Sequence, residues 1–141
     1  LGELLPAPFD GFGVSANLTL LDSEFTGTDG RSYQLPGTSD LIYNASLYYE
    51  NYGLSARGNY QYRDEWISPI ESPDEVWGDQ KRVDFSVSYQ VPGDFGGAIF
   101  SIYLNANNLT DEVDLRFAGN GTVNQRESYG RRFLAGVRAS F

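Results

Sequence analysis

The chain of 141 residues contains no cysteine, no histidine and no methionine. Without cysteine there is neither a disulfide framework nor a thiolate metal site. Without histidine the chain lacks the commonest general base and the usual ligand of transition metals. It also has no phosphate-binding glycine loop, and its serines lie in alternating segments without a base. We therefore predict a protein that is not an enzyme and that holds no cofactor and no metal.

Basic residues and long apolar runs are scarce as well. The chain has 10 lysines and arginines against 19 acidic residues, a formal net charge of −9, which argues against a nucleic-acid partner. No apolar run approaches the roughly 18 residues that a membrane-spanning helix needs, and the mean hydropathy is −0.39. If the chain crosses a membrane, it must do so with strands, which hide their apolar residues by alternating them with polar ones.

What the chain does have is a residue alternation with a period of two, typical of β-strands. The pattern predicts a single all-β domain over residues 1–141. We expect an antiparallel up-and-down meander of about six long strands, forming an open curved fragment of a larger transmembrane β-barrel. The predicted strands span residues 11–21, 41–50, 53–63, 82–91, 98–108 and 128–141. Each is about ten residues long, which suits a tilted strand that crosses a bilayer.

The connections between these strands alternate between short and long. Residues 51–52 and 92–97 form short turns, whereas residues 22–40, 64–81 and 110–127 form long loops. In a meander all the long loops then emerge on one side of the sheet, as they do in outer-membrane barrels. Aromatic residues near the strand ends are expected to form interfacial girdles, with ordinary β-propensity as the alternative explanation. They are Tyr43, Tyr49, Tyr52, Tyr62, Tyr89 and Phe141.

The last fourteen residues, SYGRRFLAGVRASF, carry the clearest strand pattern. Apolar side chains occupy every second position up to an aromatic final residue. In an outer-membrane barrel the last strand closes the barrel, so it must be ordered up to its end. The pattern therefore predicts a protein of the bacterial outer membrane, in contact with outer-membrane lipid.

Several runs resemble the C-terminal part of the barrel of TonB-dependent outer-membrane receptors of Gram-negative bacteria. In the family's order they are GFGVSANLTLLDSE, LPGTSDLIYNASLYYENYGLSARGNYQYRDEWI, NANNLTDE and YGRRFLAGVRASF. The resemblance covers residues 5–141. It implies that the chain is the last part of a longer polypeptide, an expectation that its opening at Leu1-Gly2-Glu3 without methionine also favours. The whole protein would have a barrel of about 22 strands around an N-terminal plug domain.

The resemblance implies energy-coupled uptake of a nutrient. Substrate would bind to the outer loops and the plug, and TonB would then pull on the plug to release the substrate inward. The implied partners are the remainder of the same barrel and its plug, TonB through the N-terminal part, and the barrel-assembly machinery. Two alternatives remain open: a passive outer-membrane channel or structural barrel without TonB coupling, and a soluble β-sheet module that binds carbohydrate.

Three sets of residues are candidates for functional contacts. The closing strand matches the family's terminal assembly signal, although the same pattern also suits any lipid-facing strand; the matching residues are Phe133, Ala135, Val137, Ala139 and Phe141. One strand is expected to line the lumen and to hydrogen-bond the plug through Arg57, Asn59, Gln61 and Arg63.

The third set lies in the acidic loop DEWISPIESPDEVWGD, residues 64–79, which has no basic residue. Tryptophan rings beside carboxylates can stack on a sugar or hold a cationic ligand, so we predict ligand contacts at Trp66, Asp74, Glu75 and Trp77. Calcium binding and simple solvation are the alternatives. In the NNLTDE run that precedes the last long loop, Asn108 or Asp111 is expected to cap backbone amides.

Overall fold

The computed structural model describes residues 6–68, 75–93 and 95–141. A short 3-10 turn at Phe9–Gly11 precedes twelve strands within these residues. Six are long: β1 (Phe12–Leu20), β4 (Leu41–Asn51), β5 (Leu54–Arg63), β8 (Gln80–Gln90), β9 (Ile99–Asn107) and β12 (Arg132–Ser140). Six are short: β2 (Glu24–Thr26), β3 (Ser32–Gln34), β6 (Trp66–Ile67), β7 (Val76–Trp77), β10 (Val113–Phe117) and β11 (Val123–Ser128).

The long strands form one antiparallel sheet in the order β1-β4-β5-β8-β9-β12. Each long strand thus lies beside the next long strand in the chain, which confirms the predicted all-β meander of six strands. Strands β1 and β12 lie at its two edges, so the described residues form an open sheet and not a closed barrel. Among the described residues, no helix is both long enough and apolar enough to span a membrane.

Each predicted strand differs from the observed one at one end or at both, by one or two residues except at the start of the sixth strand. Two of the differences arise because the backbone turns where the side-chain pattern continues. The sixth strand does not begin at residue 128: Ser128 ends β11, Gly130 has a φ of 69°, and β12 begins only at Arg132. The first tight turn lies at Tyr52 and Gly53, one residue later than predicted, with φ angles of 53° and 75°. Two successive positive φ angles are the mark of a type I′ hairpin turn.

The long loops contain strands of their own, which the alternation did not predict. Strands β2 and β3 form a hairpin, and β11-β10-β7-β6 form a four-stranded sheet, which we call the loop sheet. The loop sheet joins two loops that are distant in sequence, because Arg116 of β10 pairs with Trp77 of β7. Strands β2, β3, β6 and β7 have only two or three residues, too few to show a period-two pattern. Strand β10 does alternate, over VDLRF, and is the one signal in the sequence that could have predicted part of the loop sheet.

The register of the six-stranded sheet separates its side chains into two faces, because directly paired residues point to the same side. We call one side the apolar face; a row across all six strands consists of Val14, Leu47, Gly58, Phe85, Ala106 and Phe133. We call the other side the polar face; the adjacent row consists of Gly13, Tyr48, Arg57, Ser86, Asn105 and Leu134.

The described residues bury almost no hydrophobic core. The buried hydrophobic residues are Ala98 and Ala106, which are 8% and 4% exposed. On the apolar face, by contrast, Leu47 is 54% exposed and Val137 is 67% exposed. A sheet normally buries an apolar face of this extent against a second layer, and the described residues supply none.

At both edges of the sheet, a tyrosine on the polar face lies over a glycine of the edge strand. Tyr48 of β4 pairs with Gly13 of β1, and Tyr103 of β9 pairs with Gly136 of β12. A Cβ atom added at Gly136 would lie only 2.6 Å from Cζ of Tyr103, and one added at Gly13 would also overlap the ring of Tyr48. The missing side chains therefore let both rings lie flat against the edge strands.

We predict that Gly136→Ala lowers the free energy of unfolding by about 1–3 kcal/mol, because the Tyr103 ring must move to admit the methyl group. Gly58→Ala is the matched control, since a Cβ at Gly58 meets nothing within 4 Å. The control should change stability by less than about 0.5 kcal/mol. Urea titrations of both variants measure the difference, and equal stabilities would contradict the proposed overlap.

Candidate functional site

The charges of the chain are distributed unevenly between the polar face and the rest of the molecule. Two carboxylates, those of Glu50 and Asp84, lie on the polar face, together with five arginines: Arg57, Arg63, Arg82, Arg132 and Arg138. The polar face thus has a net charge of +3, although the whole chain has a net charge of −9. Such a segregation creates a local positive potential in an otherwise acidic protein.

A groove of about 470 Å³ runs along the polar face between β5 and β12. Hydroxyl groups dominate its lining, which includes Ser55, Ser86, Ser88, Ser101, Tyr103 and Arg138. Ser55 pairs with Ser88, which in turn pairs with Tyr103, so serines and an aromatic ring share one row of the floor. The floor therefore presents many hydrogen-bonding groups to whatever occupies the groove.

The predicted lumen-facing residues of β5 all lie on the polar face, but they have different surroundings. Arg63 is already engaged, since its Nε donates to Ser39 Oγ at 2.8 Å and its Nη2 donates to the Gly37 carbonyl at 2.9 Å. Asn59 Oδ1 accepts a hydrogen bond from Ser46 Oγ at 2.7 Å. Gln61 is exposed, and the guanidinium of Arg57 lies 5.4 Å from the ring centre of Tyr48. Contact of these residues with a plug stays a prediction.

The two tryptophans come together in the loop sheet. Trp66 and Trp77 pair across β6 and β7, and their rings stack with centroids 5.9 Å apart at an angle of 11°. The guanidinium of Arg63 lies 3.8 Å from the Trp66 ring centre, and that of Arg116 lies 5.5 Å from the Trp77 ring centre. Each tryptophan thus has an aromatic and a cationic neighbour from the chain itself, an arrangement that stabilises the loop sheet.

Glu75, which directly precedes β7, contacts strands β10 and β11 of the loop sheet. Its Oε2 lies 3.4 Å from Nη1 of Arg116, and its Oε1 accepts a hydrogen bond from Asn124 Nδ2 at 2.7 Å. The side chains of Glu75 and Arg116 are only 17% and 13% exposed, so little solvent screens the ion pair. Asp74 lies outside the described residues. Ligand contact at Trp66, Asp74, Glu75 and Trp77 stays a prediction.

The calcium alternative gains no support from the described residues. In residues 6–68, 75–93 and 95–141, no three or more acidic side chains are grouped so that they could hold a metal ion.

In the middle of the β2–β3 turn, which spans residues 27–31, the Tyr33 hydroxyl donates to Asp29 Oδ2 at 2.5 Å. That hydrogen bond stabilises the carboxylate form and lowers the pKa of Asp29 below its ordinary value.

Asn108, which directly follows β9, connects the end of that strand to β8 and to the segments before β10 and β12, a role that the sequence indicated only in part. Its Oδ1 accepts a hydrogen bond from the Glu112 amide at 2.9 Å, which confirms the predicted cap. Its Nδ2 also donates to the Gly130 carbonyl at 3.1 Å, and its own amide donates to Asp84 Oδ1 at 2.9 Å. Asparagine tolerates the positive φ of 55° that this position requires.

The residues of the predicted assembly signal share one face as far as Ala139. In register, Phe133, Ala135, Val137 and Ala139 pair with Ala106, Leu104, Ile102 and Phe100 of β9. Phe141 follows the end of β12 and is fully exposed. Leu134 is the exception to the alternation and lies on the polar face. Recognition of this strand by an assembly machinery stays a prediction.

We predict that Arg116→Gln loosens the loop sheet and leaves the six-stranded sheet intact, because it removes the charge that faces Glu75 and Trp77. Local opening at Val113–Phe117 should become easier by about 1–3 kcal/mol, measured by amide hydrogen exchange. The matched control is Arg126→Gln on the neighbouring strand, where the arginine is exposed. Equal exchange rates in the two variants would contradict the stabilising role of the ion pair.

Comparisons with protein-family models, with curated proteins and with solved structures find no significant match for this chain. The functional assignment therefore depends on the two faces of the six-stranded sheet and on the residues that each face carries.

Proposed function

We propose that the chain forms part of the wall of a transmembrane β-barrel in a bacterial outer membrane, and that this barrel belongs to a TonB-dependent receptor for nutrient uptake. The observation that carries the proposal is the uncovered apolar face, which extends across all six long strands opposite a polar face. In such a barrel the apolar face contacts lipid, and the polar face lines an aqueous interior.

The exposure of the apolar face supports lipid contact over a soluble fold. In water, large side chains such as Val14 and Leu18, each 62% exposed, would make the sheet prone to aggregation. A soluble carbohydrate-binding module would need a second layer of chain over this face. Lipid tails cover it without any such layer, which is why a membrane barrel needs little hydrophobic core of its own.

Aromatic residues lie at both ends of the apolar face, as interfacial girdles require. At the end with the long loops, Tyr43 and Tyr62 stack with centroids 4.9 Å apart. At the end with the tight turns, Phe12 and Tyr49 make an edge contact at 4.9 Å. Tyr49 follows Tyr43 by six positions, which is about 20 Å along a strand. This distance is of the same order as the apolar band of about 25 Å in outer-membrane barrels.

The arrangement of long and short connections also supports an outer-membrane barrel. The β2–β3 hairpin and the loop sheet lie in the long connections, whereas connections of two residues (52–53) and eight residues (91–98) join the strands at the other end. In outer-membrane barrels the long loops face outward and the brief turns face the periplasm. TonB coupling is supported by the ordered set of sequence runs that resemble this receptor family.

We predict opposite labelling of neighbouring cysteines on β4 in the full-length protein in its membrane. Leu47→Cys should react with a membrane-soluble maleimide and resist a charged, water-soluble one, because Leu47 lies on the apolar face. Ser46→Cys should show the reverse, because Ser46 lies on the polar face. The chain has no cysteine of its own, so within it each introduced thiol reports on one position.

Equal labelling of both positions by the water-soluble reagent would contradict the membrane proposal. A monodisperse, detergent-free monomer would point in the same direction and would favour the soluble module.

We also predict that the sequence upstream of Leu1 encodes a plug domain and a segment that contacts TonB. The complete gene provides the measurement. An upstream region that contains only further strands would favour the passive channel, and it would leave the assignment of the two faces unaffected.

A further inference from the structure

We propose that a cavity at the loop end of the polar face binds a neutral sugar unit, with Arg132 and Asp84 as hydrogen-bonding partners and the Tyr129 ring as an apolar surface for stacking. The proposal rests on the proposed function and names the class of substrate that the outer end of the barrel would receive. The cavity has a volume of about 470 Å³. Pockets that hold small molecules span about 300–1,000 Å³, so this cavity has room for a sugar unit.

The cavity lies where the six-stranded sheet meets the loop sheet. Its lining includes Arg82, Asp84, Asn107, Asp114, Tyr129 and Arg132. Asn107 is the last residue of β9 and Arg132 is the first of β12, so the cavity lies at the strand ends next to the long loops. Asp114 of β10 and Tyr129, which follows β11, come from those loops. A solute here contacts the barrel wall and its outer loops, so the site does not need the space that a plug fills deeper in the interior.

Polar side chains from three neighbouring strands lie in one row at this cavity. Asn107 pairs with Arg132 across β9 and β12. Phe85 pairs with Ala106, which places Asp84 beside Asn107 one position closer to the loops. Two interstrand steps separate the ends of this row, which is about 10 Å. A single small solute is therefore large enough to contact the whole row.

The charges around the cavity are balanced within the chain. Arg82 Nη2 and Asp114 Oδ2 form an ion pair at 2.7 Å, and Asp84 Oδ1 accepts a hydrogen bond from the Asn108 amide at 2.9 Å. With Arg132, the lining has two cationic and two anionic side chains, which gives a net charge of zero. A charged solute would lie beside side chains of its own sign, so this balance favours a neutral solute.

The hydrogen-bonding capacity that remains in the lining suits hydroxyl groups. Arg132 makes one long contact, from its Nη2 to Asn107 Oδ1 at 3.4 Å. Within the described ranges Arg132 makes no other hydrogen bond and no ion pair, and Asp84 Oδ2 accepts no hydrogen bond. A guanidinium only donates and a carboxylate only accepts, whereas each sugar hydroxyl does both. Hydroxyls of one sugar can thus bind Arg132 and Asp84 together.

The Tyr129 ring adds an apolar surface beside these polar groups. Tyr129 is 73% exposed, and its hydroxyl donates to Glu127 Oε2 at 2.6 Å. This hydrogen bond fixes the direction of the side chain, and no other ring of the described residues stacks on it. The C–H groups on one side of a sugar ring can pack against the tyrosine ring while the sugar hydroxyls reach the polar row. The combination favours a sugar over a simple ion.

The test is calorimetric titration of the full-length protein in a polyoxyethylene detergent, which contains no sugar. The probes are four neutral trisaccharides: maltotriose, cellotriose, mannotriose and xylotriose. We expect saturable binding of at least one of them. Its affinity should change less than about twofold when the salt concentration is raised to about 0.5 M, because the site has no net charge for salt to screen.

Variants with matched controls locate the binding site. Arg132→Gln should bind at least about tenfold more weakly, because charged hydrogen bonds are lost. Its control is Arg126→Gln, which should bind like the wild type, since Arg126 is exposed and lies on the opposite face of the loop sheet from Asp114. Tyr129→Ala should bind about fivefold more weakly or worse, and Tyr129→Phe should recover most of that loss because it keeps the ring.

Absence of saturable binding of all four sugars would overturn the proposal, as would equal affinities of Arg132→Gln and Arg126→Gln. Protection of Tyr129→Cys from a water-soluble maleimide in the sugar-free protein would also overturn it, because another part of the polypeptide would then cover the cavity. Failure of the sugar titration with the expected labelling at Leu47 and Ser46 would refute the sugar site alone. Failure of that labelling with sugar binding intact would refute the barrel wall, and the sugar site would then belong to a soluble module.

Discussion

The continuous antiparallel register of the six long strands is the constraint on which the rest of the structure depends. Side chains alternate between faces with a period of two, so a shift of one residue between neighbours would mix apolar and polar residues on both faces. The pairing is unbroken from Val14 on β1 to Phe133 on β12. One side of the sheet is consequently mainly apolar and the other mainly polar; the exceptions include Lys81 on the apolar face and Leu134 on the polar face. The proposed function follows from that separation.

The two faces are stabilised in different ways. On the apolar face, aromatic pairs lie near the strand ends and aliphatic side chains lie between them. This order suits a lipid layer, which is polar at its interfaces and hydrocarbon in its interior. On the polar face, Tyr48 and Tyr103 pack against glycines of the two edge strands. Asn108 connects the end of β9 to β8 and to the segment before β12 by hydrogen bonds. The loop sheet depends on a third arrangement, the Glu75–Arg116 ion pair beside the stacked tryptophans. Each of these sets of contacts thus stabilises a different part of the structure: the apolar face, the polar face or the loop sheet.

Much of this fold could be predicted from the sequence because the long strands are amphipathic. Residues 53–63 were predicted as a strand and β5 spans Leu54–Arg63, since its alternating pattern is uninterrupted. The break between β11 and β12 at Gly130 could not be predicted in the same way, because the alternation of apolar side chains carries no information about a positive backbone φ. The loop sheet was also missed, since β6 and β7 have two residues each and are stabilised by contacts with a segment about 40 residues away.

The candidate sites show the same limit. The sequence placed Trp66 and Trp77 in one acidic loop, but their stacking and the guanidiniums of Arg63 and Arg116 depend on tertiary structure. Likewise, alternation assigned Arg57 to the polar face, but only the structure reveals which arginines of that face already have partners. Local periodicity therefore predicts the face on which a side chain lies, and long-range pairing decides which groups remain available.

The most direct measurement of the central claim is the accessibility of nitroxide side chains placed one at a time along β8, from Arg82 to Gln90, in the full-length protein in a bilayer. Collision rates with oxygen, which concentrates in lipid, and with a water-soluble nickel complex should alternate with a period of two and in opposite phase. Oxygen accessibility should be highest at Val83, Phe85 and Val87. A profile without alternation, or nickel accessibility at all of these positions, would contradict the assignment of one face to lipid.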